Sequence, residues 1–421
     1  MNWDTTGVRG IICVVLVLTA AIAVADDYET AYAELLAAYQ AADYPALVAA
    51  SERVRDIRPH NPGAYFNMAY AHTLNGTHDG AIDAIDRLLE LQRDFNIRER
   101  AEFEPLHEDP RWPGIVARVN ALYEPIGEAE TVAKIDEPQF IPEGIAVDAG
   151  GNVFLGSIRF GKLVRVGDAG QALSDRQGHW SVFGMRFDAA GQLWFASAAI
   201  PQFAGESGDN GKTGLFRLDP DRGTITRAAL LPQYVEKQLL GDLIVLGGAI
   251  YATDSLTGAV YRYDIDDDTF EPLLPRGTLG SPQGLVADAS GQYLYVADYI
   301  GGLYRVGLAD GSHTRLRLPA DLTDYGIDGL YRHGDRLIAI QNGHPPHRIV
   351  ALSLTADGLG IEDARILAAN LEDFDEPTLG TIVGDELWFV ANSQWHRFDA
   401  KNRLPDDLTG PIILKLRLGS H

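Results

Sequence analysis

The C-terminal two-thirds of the chain repeats one short phrase six times, and this repetition limits the fold more than any other feature. The first copy is Ile141-Pro142-Glu143-Gly144-Ile145-Ala146-Val147-Asp148, followed by Gly151-Asn152-Val153-Phe154-Leu155-Gly156-Ser157. An apolar run ends at an aspartate, a glycine turn follows, and a second apolar run ends on a small polar residue. That is the pattern of two adjacent strands. Further copies read VFGMRFD, GDLIVLG, PQGLVAD, IDGLYRH and EPTLGTIV, starting near residues 181, 240, 281, 327 and 376. Most copies continue into a third strand, as in KLVRVG, GLFRLD, AVYRYD and GLYRVG. Several short strands recurring every 40 to 60 residues or so predict a β-propeller. Six copies predict six blades. The strand Glu130 to Ile135 has no blade of its own and is expected to complete the last blade beside Ile412 to Leu418. Asp148, Asp188 and Asp288 fall at hairpin turns and are expected to cap them rather than do chemistry.

Ahead of this all-β region, residues 28–125 are helical in pattern, with Tyr32, Leu35, Leu36 and Tyr39 on one face. Tyr44 aligns with His78, Leu47 with Ala81, Ala50 with Ala84 and Val54 with Leu88, a period of 34 residues. Asn75-Gly76-Thr77 stops one helix and starts the next. The period, with Ala69, Gly76 and Ala81, resembles the tetratricopeptide repeat. Arg93 stands where the second copy's closing proline would fall. Two repeats are few for a peptide groove. A helical block packed on the larger domain and a dock for a partner protein are therefore both kept open.

The extreme N-terminus carries Arg9, an apolar run from Ile11 to Val24, and Ala23-Val24-Ala25 before Asp26. This is the order of a secretory signal over residues 1–25, with an uncleaved anchor as the alternative. The expected address is secreted or periplasmic, with no membrane span after cleavage. The single cysteine, Cys13, lies inside that segment, so the mature chain has neither disulfide nor thiol chemistry. A net charge of -24 argues against nucleic acid as a partner. The acidity is spread along the chain and reads as a solvated surface, with attraction of divalent cations as the sharper alternative.

The starts of the inner strands and the loops after the second strands should line one funnel. A small-molecule ligand is expected there, and the position of Glu143 recurs as Phe183, Gly241, Gln283, Asp328 and Pro377. Loop residues expected on that face include His179, Trp180, Tyr299, Asn342, His344, Asn392 and Trp395, with Glu376 near the axis. No G-x-S-x-G or H-E-x-x-H occurs, which weakens serine-esterase and zinc-protease readings.

Pro142-Glu143-Gly144 and Ile327-Asp328-Gly329 on a six-bladed frame resemble the gluconolactonase and regucalcin-type propellers, over residues 130–421. The resemblance implies a divalent cation, calcium among the candidates, held by Glu143 and Asp328. Gln283 and Gly241 fall at the asparagine positions of that family. Gln283 still offers an amide oxygen, while Gly241 offers no side chain. It further implies hydrolysis of a lactone or other small ester. Asp328 is then the first candidate base, with His179 and His344 as alternatives, and Trp180, Tyr299, Asn342, Glu376, Asn392 and Trp395 contact the substrate. The competing reading is a non-catalytic scaffold that binds a ligand in the funnel and a protein through the helices.

Overall fold

The structure, a computed structural model, describes residues 27–419 except 168–171, 175–177, 206–207, 234 and 236. The expected signal segment lies outside the described residues. No described helix is long and apolar enough to cross a membrane.

Two helical hairpins come first: α1 (Asp27–Gln40) with α2 (Tyr44–Ile57), then α3 (Pro62–Leu74) with α4 (His78–Glu90). Each second helix sits one period after the other, as the 34-residue repeat predicts. Asp43 caps α2 by accepting from the Ala46 amide at 3.1 Å, and Asn61 caps α3 through Gly63 at 2.9 Å. Small residues at the crossings, Ala50, Ala64 and Ala71, are fully buried and let the helices approach closely. After a 3-10 turn (Ala101–Leu106), α5 (Trp112–Leu122) closes the block by packing Trp112, Ile115 and Val119 against α4.

Six four-stranded antiparallel sheets follow, one per copy of the repeat. Five are built from consecutive strands, and the sixth takes Glu130–Lys134 as its outer strand, paired with Ile412–Arg417. The N-terminal strand therefore locks the ring, as expected from its lack of a blade. The turn aspartates do what short carboxylates do in hairpins. Asp148 accepts from the Gly150 and Asn152 amides at 2.9 and 2.8 Å, and Asp188 accepts from Ala190 and Gln192 in the same way.

A shared irregularity in the inner strands positions the site. In blade 1, Pro142 pairs with Ser157 but Ile145 pairs with Leu155, so the inner strand carries an extra residue. The same shift occurs in blades 2 to 5, at Val182/Met185, Leu240/Leu243, Pro282/Leu285 and Ile327/Gly329. A bulge of this kind re-aims one side chain. Here Glu143, Phe183, Gly241, Gln283 and Asp328 all reach the axial cavity. The following residue is pressed against the next blade. A Cβ on Gly144 would fall well inside contact distance of the Phe183 carbonyl, and one on Gly284 would meet the backbone of Asp328 and Leu330.

The helical block docks on blades 4 and 5. Arg58 donates to the Ile300 carbonyl at 3.1 Å, His60 to Leu322 at 2.9 Å, and the Asp94 amide to Pro345 at 3.1 Å. Ile126 and Ala369 exchange backbone hydrogen bonds of 3.0 Å.

Candidate functional site

The axial cavity has a volume of about 300 Å³. Four carboxylates line it, from Glu143, Asp242, Asp328 and Glu376, and the lining includes no Lys, Arg or His. Their proximity shows in their protonation. Burial, then the Asp328 charge, holds the Glu143 carboxyl well above the usual carboxylate range, although a hydrogen bond from Trp395 works the other way. Burial likewise pushes Asp328 up to about 7, opposed by a hydrogen bond from Asn342 and reinforced by Glu376 and Asp242.

Neutral donors fix both carboxylates. The Trp395 indole Nε1 donates to Glu143 Oε2 at 2.7 Å. Asn342 Nδ2 donates to Asp328 Oδ2 at 2.8 Å and to the Pro377 carbonyl at 2.9 Å, and its Oδ1 accepts from the Tyr299 hydroxyl at 3.0 Å. Asn342 is itself anchored, its amide donating to the Gly326 carbonyl at 3.0 Å. Gln283 turns its Nε2 to Ser281 Oγ at 3.2 Å, and its Oε1 lies on the side of Gly241. Asp242 follows the bulge and turns toward Gly184, where its carboxylate pairs with Arg186 at 3.4 Å and accepts from the Leu243 amide at 2.8 Å. It does not replace the side chain missing at Gly241.

Of the residues that the sequence places on this face, Glu143, Gln283, Tyr299, Asp328, Asn342, Glu376 and Trp395 meet in the cavity wall. Four others stand elsewhere. His179 is buried between blades, its Nε2 donating to the Gly161 carbonyl at 2.6 Å and its ring packed on Phe195 and Phe216. Trp180 is buried beside it, edge-on to Phe216. Asn392 ties down the closing strand, donating to Gly410 and accepting from the Ile412 amide at 2.7 Å. His344 faces the helical block, its ring 4.8 Å from Phe95.

The location of His344 also sets its charge. Burial, with Arg93 and His347 nearby, pushes its imidazole down to about 3. It is therefore expected to stay neutral from pH 5 to 8. Histidine-resolved NMR checks this, and a His344 titration inside that range would contradict the buried placement.

Two residues at the site carry no signal in the repeat. Leu239 and Leu379 give the cavity its apolar patches. His396 is a third addition at the rim: its backbone N and its Nδ1 donate to Glu376 Oε2 at 2.9 and 3.1 Å. That contact, and the neighbouring Asp375, raise the His396 pKa. Glu376 adopts a φ of 68°, an uncommon conformation for a residue other than glycine, which the His396 contacts help to hold. Only the adjacency of His396 to Trp395 could have pointed to it.

Among the described residues, no group of three His, Cys, Asp or Glu side chains is arranged to hold a metal ion. The oxygen donors that line the cavity are the carboxylates of Glu143 and Asp328 and the amide oxygen of Gln283, while the Asn342 oxygen accepts from Tyr299. Such a set fits a hard, oxygen-seeking cation that keeps several waters, and it lacks the nitrogen or sulfur of a zinc site.

No protein-family model matches the sequence, and no curated protein sequence matches it. Similar solved structures include a gluconolactonase from Xanthomonas campestris, 18% identical, covering 70% of this chain and 92% of its own, with a TM-score of 0.47. A regucalcin from Agrobacterium tumefaciens, described as a calcium-binding protein, is 16% identical over 68% of this chain and 93% of its own, with a TM-score of 0.48. A virginiamycin B lyase from Staphylococcus aureus is 16% identical over 69% and 99%, with a TM-score of 0.46. At such identities the chemistry of the funnel rests on this chain's own residues.

Proposed function

We propose that the chain is an exported hydrolase that opens a lactone or other small ester in the axial cavity. The observation that carries this reading is the wall of four carboxylates with no basic side chain among them. Asp242 pairs with Arg186 and Glu376 with His396, so the demand for a proton or a cation falls on Glu143 and Asp328, where burial opposes full ionisation. A hard divalent cation, calcium among the candidates, would be held by Glu143, Asp328 and the Gln283 amide oxygen. When bound there it supplies positive charge that polarises an ester carbonyl.

The rest follows from the chain's own groups. Asp328 accepts from Asn342 on Oδ2 and lines the cavity. Without a cation, burial pushes this carboxyl up to about 7, which suits a proton acceptor from water near neutral pH, and a cation beside it would lower that value. Trp395 fixes the rotamer of Glu143, and the Tyr299–Asn342 pair fixes that of Asp328. Phe183, Leu239 and Leu379 supply apolar surface for the carbon skeleton of a small cyclic ester. A cavity of about 300 Å³ suits a ligand of that size.

One observation favours a second reading, a funnel that binds a ligand without transforming it. Gly241 and Phe183 occupy two of the axial positions where further oxygen donors would complete a cation site, and Asp242 is committed to Arg186.

A panel of small lactones and aryl esters, assayed with and without calcium after chelator treatment, decides between the two. Hydrolysis by wild type is expected, with Asp328→Asn and Glu143→Gln each lowering kcat/KM by about a hundredfold or more. Turnover that survives both substitutions would place the chemistry elsewhere. Ligand binding without turnover would leave the second reading standing.

A further inference from the structure

The wall of the axial cavity is not the same all the way round. Asp328, Glu376 and Glu143 come from three consecutive blades, 5, 6 and 1. Phe183, Leu239 and Gly241 come from the next two. The remaining carboxylate, Asp242, belongs to this second arc but pairs with Arg186. One side of the cavity is therefore acidic and the other apolar.

On the acidic side, Glu376 is engaged by His396. Glu143 is only 7% exposed, and among the described residues it accepts a hydrogen bond from the Trp395 indole alone. Among those residues no Lys, Arg or His pairs with Glu143 or Asp328. Such a carboxyl keeps its proton or takes a cation from solution.

The apolar side selects the kind of cation. A Cβ on Gly241 would lie 3.5 Å from Gln283 Oε1 and 3.7 Å from Leu239 Cδ2, both ordinary contact distances. Packing does not demand glycine there, as it does at Gly144 and Gly284, so the missing side chain leaves room in the wall. Phe183 sets an aromatic ring at the next axial position, 6.4 Å between centroids from the ring of Trp395 and tilted 30° to it. A metal ion gains from neither feature, because it needs oxygen donors. An alkylammonium ion gains from both. Its carbon groups need room, and those next to the nitrogen share its charge and pack on aromatic rings. Trp395 touches both Glu143 and Phe183, so charge and ring surface are contiguous.

We propose that the axial cavity takes a small organic cation, with an alkylammonium group on Glu143 and its carbon body toward Phe183 and the space at Gly241. This ligand class rests on the axial cavity being the ligand site of the proposed function. It holds equally for an ester substrate that carries such a group and for a ligand that is bound unchanged.

Calorimetric titration of the chelator-treated full chain at pH 8 tests the proposal. The probes are choline and n-butylammonium, each with a neutral counterpart, 3,3-dimethylbutan-1-ol and 1-butanol. At least one cation is expected to bind, about tenfold or more tighter than its counterpart. Glu143→Gln keeps an oxygen for the Trp395 indole and should weaken that cation about tenfold or more, leaving the neutral probe unchanged. Gly241→Leu fills the open space and should abolish binding while the fold, read by thermal melting, persists. No binding of either cation at about 10 mM would overturn the proposal. So would neutral probes that bind as tightly as the cations, or cation binding that persists unchanged in Glu143→Gln or Gly241→Leu. Cation binding without ester turnover would remove the hydrolase and keep this ligand class, whereas turnover of neutral esters without cation binding would do the reverse.

Discussion

Gly144→Ala is expected to destabilise the protein by about 3 kcal/mol or more, an effect far larger than a single methyl group ordinarily produces. The added Cβ would press into the Phe183 carbonyl and the Met185 side chain. The carbonyl belongs to the inner strand of the next blade, and that strand is held in place by its own ladder to Leu193–Ala198. Neither strand can retreat without opening the ring on one side. The cost is therefore overpacking against backbone, where no rotamer change offers relief. Gly114→Ala is the matched control. It lies within α5 with nothing within 4 Å of its Cβ position, so alanine should be neutral or stabilising by a few tenths to about 1 kcal/mol. Urea unfolding of both variants measures the difference. A loss below about 1 kcal/mol for Gly144→Ala would mean that adjacent blades separate easily, contrary to the close approach of their inner strands.

The same glycines explain why the fold was legible in the sequence. Gly144, Gly184, Gly284 and Gly329 each sit where a neighbouring blade's backbone or side chain leaves no room for a Cβ, so the repeat writes the ring's inner contacts into its letters. The turn aspartates and the unpaired strand Glu130–Lys134 were equally plain, because their roles are local or set by strand count. The site was legible only in part. Axial position follows from the strand starts, which is why Glu143, Gln283 and Asp328 converge. Loop position does not follow from loop membership. Asn342 and Asn392 occupy corresponding ends of second strands, yet one holds Asp328 and the other caps the closing strand. His179 leaves the funnel because two phenylalanines, Phe195 and Phe216, offer it a buried face between blades. His344 is claimed by the helical block through Phe95, and no periodicity within the propeller could reveal that docking. The departure from the repeat at Arg93 was visible as a missing proline, but its contact with the His344 and Pro346 carbonyls depends on how the two domains pack.

Removing divalent cations should leave the protein most stable in mild acid and progressively weaker as pH rises through about 7. Glu143 and Asp328 both have folded-state pKa values raised above those of the unfolded chain, Asp328 to about 7. Between about pH 4 and 7 the native state therefore holds protons that the unfolded state has released. Stability then falls with rising pH, by about 1.4 kcal/mol per pH unit for each proton of difference. The contribution is fully present below the unfolded pKa and is lost once the folded carboxyls ionise. Asp328→Asn should flatten this slope and stabilise the cation-free protein at pH 8 by about 1–3 kcal/mol, because it removes the charge that most directly opposes ionisation of Glu143. Asn342 keeps an oxygen to donate to in that variant. Thermal melting across pH 4.5 to 8.5 reads both effects, and equal slopes for wild type and Asp328→Asn would show that the pair does not share its charge in the way the cavity implies. Adding calcium at pH 8 then separates protons from metal. A cation binds only the ionised pair and competes with its protons, so its stabilisation should grow as pH rises and vanish in both Glu143→Ala and Asp328→Asn. A pH-dependent pair with no calcium response would keep the acid–base role of Asp328 and remove the cation from the proposed hydrolase.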